Sequence, residues 1–174
     1  MVILETRERC VIFSIVNNVI HIEFYNKDNF PPGKWMSEPD LCYWESELPC
    51  LAIRDMKLGI WKGFVAIDDS HPFHGKTVEE LFKLPGILHV FHAVYGGLCG
   101  VGHLLVPKYK EFAKNHWWIG IETSHGEDLM PLLKLDTSDP NMAKMTSNQT
   151  YKDLRFIRRE INKLARVVSN YKCQ

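Results

Sequence analysis

The chain has 174 residues, 45% of them hydrophobic and 24% charged, with 21 Lys plus Arg against 21 Asp plus Glu. That length suits one domain with a buried core, taken as residues 1–174. A formal net charge of zero gives no strong nucleic-acid signal, and apolar runs of only strand length exclude a membrane-spanning helix.

The charged opening MVILETRERC reads against a signal peptide. Cys10, Cys42, Cys50, Cys99 and Cys173 are widely spaced and form no C-x-x-C pair, so they read as reduced thiols of an intracellular protein rather than a zinc knuckle. Residues 10–25 then predict a β-hairpin. Val11, Phe13 and Ile15 alternate on one side of Asn17-Asn18, and Ile20, Ile22 and Phe24 on the other. Asparagine tolerates the positive φ that tight hairpin turns need. His21 and Glu23 fall on the opposite face, expected to be wet.

Residues 26–49 carry Pro31, Pro32, Gly33 and Pro39 and read as a long irregular loop, with Trp35, Tyr43 and Trp44 pinning it to the core or lining a cleft. Strands are expected at Cys50 to Arg54 and Ile60 to Ile67. The loop Ser70 to Lys76 follows. Thr77-Val78-Glu79-Glu80 spells a capping box for a short helix over 78–83. Ile87 to Tyr95, apolar on both faces, predicts a central strand bearing His89 and His92 as hydrogen-bonded structural residues. Gly96-Gly97, Gly100 and Gly102 open a flexible loop.

Lys108 to Asn115 predicts a short charged helix, Trp117 to Glu122 a strand, and 134–149 a polar connection. The last element is a helix over 150–170, with Thr150 able to cap it and Asp153 in its first turn. Leu154, Ile157, Ile161, Leu164, Ala165 and Val168 recur at helical spacing, and Lys152, Arg155, Arg158, Arg159, Lys163 and Arg166 form the other face. That basic face is read as solvated, with an anionic partner as the sharper alternative. The expected fold class is α+β: an antiparallel or mixed sheet with the long C-terminal helix packed on it.

Three patches carry a resemblance. They are Gly63 to Ile67 leading into His71-Pro72-Phe73-His74-Gly75-Lys76, then Val94-Tyr95-Gly96-Gly97-Leu98, then Trp117-Trp118-Ile119-Gly120-Ile121-Glu122 to Asp128. With the closing segment Tyr151 to Ala165, the chain over roughly residues 48–168 resembles an uncharacterised protein family of bacteriophages and other viruses. The family pattern G-H-P stands here as Ser70-His71-Pro72, V-H-G-G as Val94-Tyr95-Gly96-Gly97, and H-A-G-D as His125-Gly126-Glu127-Asp128. The resemblance implies a viral origin and a shared fold, with Tyr95 in place of a family histidine.

Each patch puts polar groups at a strand end, where loops converge on ligands. The expected ligand-binding set is His71, His74, Lys76, Tyr95, Gly96, Gly97, Trp118, His125 and Asp128. Gly96-Gly97 permits close backbone approach and anion binding. One reading is a viral accessory protein, in the host cytoplasm, that binds a small polar or nucleotide-like ligand. A second is a hydrolase in which His125 is oriented by Asp128 and His71 moves a second proton, with or without a metal on His71, His74, His125 and Asp128. A third is a protein-interaction module using the loop 29–49 or the basic helix face, with a second copy or a host protein as partner. No cofactor is specified by any motif.

Overall fold

Alternating side chains decide this molecule's layers. The computed structural model describes residues 2–6, 9–23, 27, 30–103, 116–133 and 148–172. Its strands are β1 (Val2–Thr6), β2 (Arg9–Val16), β3 (Val19–Glu23), β4 (Leu41–Glu45), β5 (Pro49–Arg54), β6 (Trp61–Ile67), β7 (Gly100–Gly102) and β8 (Trp117–Glu122). They form one sheet in the order β1-β2-β3-β4-β5-β6-β8-β7, and every neighbouring pair is antiparallel. The C-terminal helix packs on this sheet, so the fold is α+β as expected. The hairpin also stands, with Asn17 and Asn18 at φ 51° and 61° joining β2 to β3. Among the described residues no helix is long and apolar enough to cross a membrane.

One face of the sheet carries Cys42, Cys50, Ala52, Trp61, Val65, Ile119 and Ile121, all buried under the helices. The other carries Ile22, Leu41, Leu51, Ala66 and Trp118, also buried. His21 lies on the helix side, 3.8 Å from the Cys42 sulfur. The face expected to be wet is therefore partly covered. Burial and the nearby Arg158 push the His21 pKa down, against a smaller opposing pull from Glu23.

The helix α3 (Leu154–Ser169) sits on this first face through a trough of small residues. Ala52 pairs with Gly63, and Gly63 with Ile121. A Cβ on Gly63 would stand 2.5 Å from the Ile161 side chain and 3.2 Å from that of Ile157. Glycine there is what lets the helix approach β6 so closely. Ile157, Ile161, Leu164, Ala165 and Val168 fill the trough, as their spacing predicts.

Four expectations are corrected. Residues 87–95 are not a strand: α2 (Ile87–Ala93) is helical, and its buried positions are Ile87, Val90 and Phe91, followed by Val94. Those positions follow the i, i+3, i+4, i+7 period of a helix face, while His89 and His92 are exposed. The loop 26–49 contains β4 and a 3-10 turn at Lys34–Ser37. Trp35 and Trp44 are both buried, so they pin the segment to the core, the first of the two roles expected of them, and the interaction module is left without an exposed aromatic patch there. Finally, Asp153 rather than Thr150 caps α3, accepting the Phe156 N–H at 2.9 Å. The capping box stands as read, opening the single-turn helix α1 (Val78–Leu81) with both reciprocal bonds present. The helix expected at 108–115 and most of the connection 134–149 lie outside the described residues.

Candidate functional site

The site forms where the turn after β8 meets the segment leading into α3. Backbone bonds stitch the two together: Thr150 N–H to the Glu127 carbonyl at 2.9 Å, and Leu129 N–H to the Thr150 carbonyl at 3.1 Å. Asp128 sits between them and is fully buried. A buried carboxylate needs donors on its oxygens, and Asp128 has three hydrogen-bond partners and a nearby ammonium.

Its Oδ1 accepts the Tyr95 hydroxyl at 2.7 Å and lies 3.7 Å from the Lys152 ammonium. Its Oδ2 accepts the His125 backbone N–H at 3.0 Å and faces the His125 ring Nδ1 at 3.2 Å. Because an ionised carboxylate only accepts, Nδ1 is the nitrogen that donates to it, which leaves Nε2 as the ring's other polar atom. The His125 side chain is 39% exposed against 0% for Asp128. One buried anion thus holds one half-exposed imidazole.

The rings are fixed as well. Tyr95 meets His125 edge-on at 4.9 Å and Phe156 edge-on at 5.1 Å, and the Lys152 ammonium lies 5.5 Å from the Tyr95 ring centre. Burial, then the bond to Asp128, pushes the Tyr95 phenol up to about 12, so it stays a neutral donor. Gly96 completes the wall. At φ 68° it takes a conformation that suits glycine, and a Cβ there would fall 1.9 Å from His125 Nε2. Beneath this wall the buried Glu160 accepts the Tyr95 N–H at 3.1 Å and is paired with Arg159 and Lys163.

Tyr95, Gly96, His125 and Asp128 therefore converge as expected, with Gly97 next in the turn at φ 75°. The rest of the expected set does not. His71 Nδ1 accepts the Phe73 N–H at 3.1 Å, so its Nε2 donates to the Val168 carbonyl at 3.0 Å. Both nitrogens are occupied at the C-terminal end of α3. Val168 lies eight residues beyond Glu160, about 12 Å further along the helix. His71 is thus a clamp on the last turn of α3 and not a second proton-transfer group beside His125.

His74 packs against Trp117, with ring centres 5.6 Å apart. Lys76 lies on the same loop, just before the capping Thr77. Trp118 is buried in the core of the opposite sheet face. The four-ligand metal set is consequently divided. Among the described residues no group of three or more His, Cys, Asp or Glu stands together as metal ligands.

Sequence reading missed Lys152 and Glu160. Glu160 had a signal, since it interrupts a basic helix face at the border of the apolar stripe. It also missed a second polar cluster, around Arg54. This fully buried guanidinium donates to Glu38 at 2.8 Å, to the Tyr151 hydroxyl at 2.9 Å and to the Gly59 carbonyl at 3.0 Å. It also lies 4.4 Å from the Trp61 ring. Glu38 in turn accepts the Leu154 N–H at 2.7 Å and the Tyr151 hydroxyl at 2.5 Å. No family model, no curated protein and no solved structure matches this chain.

Proposed function

We propose that the protein binds a small polar, nucleotide-like ligand at the Tyr95–His125–Asp128 cluster. The observation that carries this reading is the contrast inside the Asp128–His125 pair. The carboxylate is fully buried and bonded through both oxygens, while the imidazole it orients is half-exposed, with Nε2 beside Gly96 and not hydrogen-bonded by any described residue. A ligand hydroxyl or amide can donate to that nitrogen, and the Lys152 ammonium nearby adds positive charge for an anionic group. A role as a viral accessory protein inside the host cell rests on the resemblance of the sequence patches alone.

A second reading, a hydrolase acting on a phosphate-containing substrate, draws on the same pair. An imidazole held by a carboxylate through Nδ1 is the arrangement of a general base and its orienting group. His125 would take the proton from the attacking water at Nε2 as the water oxygen bonds to phosphorus and the ester P–O bond breaks, and the imidazolium would return that proton to the leaving oxygen. Asp128 would hold the ring and stabilise its charged form.

Native mass spectrometry with a panel of cyclic and linear nucleotides tests both readings. Binding predicts a ligand retained at unchanged mass. His125→Ala should weaken retention at least tenfold, and His71→Ala should leave it intact. A product mass that disappears in His125→Ala selects the hydrolase. Neither retention nor conversion across the panel would sink the nucleotide-like assignment.

A further inference from the structure

Charge is unevenly placed on this neutral chain. Helix α3 carries Arg155, Arg158, Arg159, Lys163 and Arg166 against a single acid, Glu160. With Lys34, these five cations line an open groove of about 850 Å³ along the helix. Glu160 pairs with Arg159 and Lys163, and Glu47 lies 3.5 Å from Arg166, so these three cations keep part of their charge for a ligand while Lys34, Arg155 and Arg158 have no ion pair to a described acid. The two carboxylates on the groove wall are engaged elsewhere. Glu38 accepts from Arg54, Trp61, Tyr151 and the Leu154 N–H, and Asp153 caps the helix through the Phe156 N–H.

The floor adds donors and no stacking surface. The Trp44 ring is buried with the Arg158 guanidinium 5.1 Å from its centre, and its indole N–H is taken by the Asn162 carbonyl oxygen at 2.9 Å. The Asn162 amide nitrogen is left as a further donor. Arg158 Nε is buried and has no hydrogen-bond partner among the described residues.

We propose that this groove docks the phosphate backbone of a nucleic-acid duplex without reading its bases. Three features select that occupant. The lining is arginine-dominated, and the guanidinium fork matches phosphate oxygens two at a time. The cations are strung out rather than clustered: Arg155 and Arg166 are about 16 Å apart along the helix. Over such a length a duplex presents about ten phosphate charges, more than a mononucleotide can offer. Finally, single strands are held largely by bases stacked on open aromatic rings, and none of the residues lining the groove is aromatic. The net charge of zero concealed this face because acids elsewhere in the chain balance it. None of the residues lining the groove belongs to the Tyr95–His125–Asp128 cluster, so the two proposals fail independently.

The experiment is fluorescence anisotropy of the full chain with a labelled duplex of about 20 base pairs, from about 50 to 200 mM salt. Neutralising four to six phosphates predicts a slope of log affinity against log salt between about −4 and −5. Changing the duplex sequence should not alter affinity. Arg155→Glu with Arg166→Glu, both exposed positions, should weaken binding more than tenfold. Arg155→Gln alone, the milder change, should flatten the slope by about 1. His125→Ala should have no effect.

The proposal is overturned by no binding at the lowest salt, or by a slope unaltered in Arg155→Gln. Tighter binding of a single strand overturns it too. So does displacement of the duplex by poly-glutamate of equal charge as readily as by unlabelled duplex, which would make the groove an acidic-peptide site.

Discussion

The Arg54 cluster and the Asp128 cluster each bury a charge beside the start of α3, and they differ in what they leave open. Arg54 gives its two terminal nitrogens to Glu38, Tyr151 and Gly59, its Nε lies 3.6 Å from the fully buried Asp40, and its flat face lies over Trp61. Asp128 also satisfies its own oxygens, but one of its donors is a half-exposed imidazole with a nitrogen to spare. A closed cluster of this kind fixes the chain. One that ends on a partly exposed titratable ring can also meet a ligand. Burial and hydrogen-bond strength alone would not separate the two, whereas following each chain of bonds to its last atom does.

The comparison breaks most severely at Arg54. Arg54→Ala takes the guanidinium away from Glu38 and from the fully buried Asp40, which lies 3.6 Å from Arg54 Nε, and removing one member of a buried pair costs about 3–5 kcal/mol. Urea denaturation should show that loss. An unchanged midpoint would mean that the cluster does not hold α3.

Gly96→Ala tests the other side. A non-glycine residue in the left-handed region costs about 1–2 kcal/mol, and the added Cβ must also displace the His125 ring. Stability should fall by that modest amount, while ligand retention should be lost almost completely.

Tyr95→Phe should cost about 1.5 kcal/mol, the low end for a hydrogen bond to a charged group, since Lys152 stays near the same Asp128 oxygen. It should also weaken ligand retention less than His125→Ala does. Equal effects from the two would move the contact from the imidazole to the phenol.

The smallest effect is acidic. The Glu160 carboxyl is held below its ordinary 4.5: burial pushes it up, but Lys163, the Tyr95 N–H and Arg159 outweigh burial. A depressed carboxylate stabilises the fold fully above the unfolded value and loses that stabilisation as pH falls through the folded one. Thermal melts from about pH 5 to about pH 3 should therefore fall less steeply for Glu160→Gln than for the parent chain.

Local chemistry was the legible part of this sequence. Asn17-Asn18 and Thr77–Glu80 specify their turn and cap within four residues, and the apolar spacing of α3 names its buried side. His125 and Asp128 were readable for the same reason, being three residues apart in one turn. Residues 87–95 went astray because a run that is apolar at both odd and even positions satisfies a strand as readily as a helix. Only the exposure of Leu88, His89 and His92 separates the two. His71 and Arg54 failed differently. Each takes its role from a partner 97 residues away, Val168 and Tyr151 respectively, and no local pattern announces such a partner.

Those long separations bear on how the chain reaches its fold. Trp44 bonds Asn162 across 118 residues, and α3 supplies the cover for the helix-bearing face of a sheet whose central strands are complete by Glu122. Pairings this distant in sequence slow folding, because the loop must close before any contact rewards it. During synthesis the apolar trough of Ala52, Gly63 and Ile121 must therefore wait, uncovered, until Ile157 and Ile161 emerge from the ribosome. A nascent chain stalled before that point would be a natural client for a chaperone, and its release would be timed by the arrival of one helix.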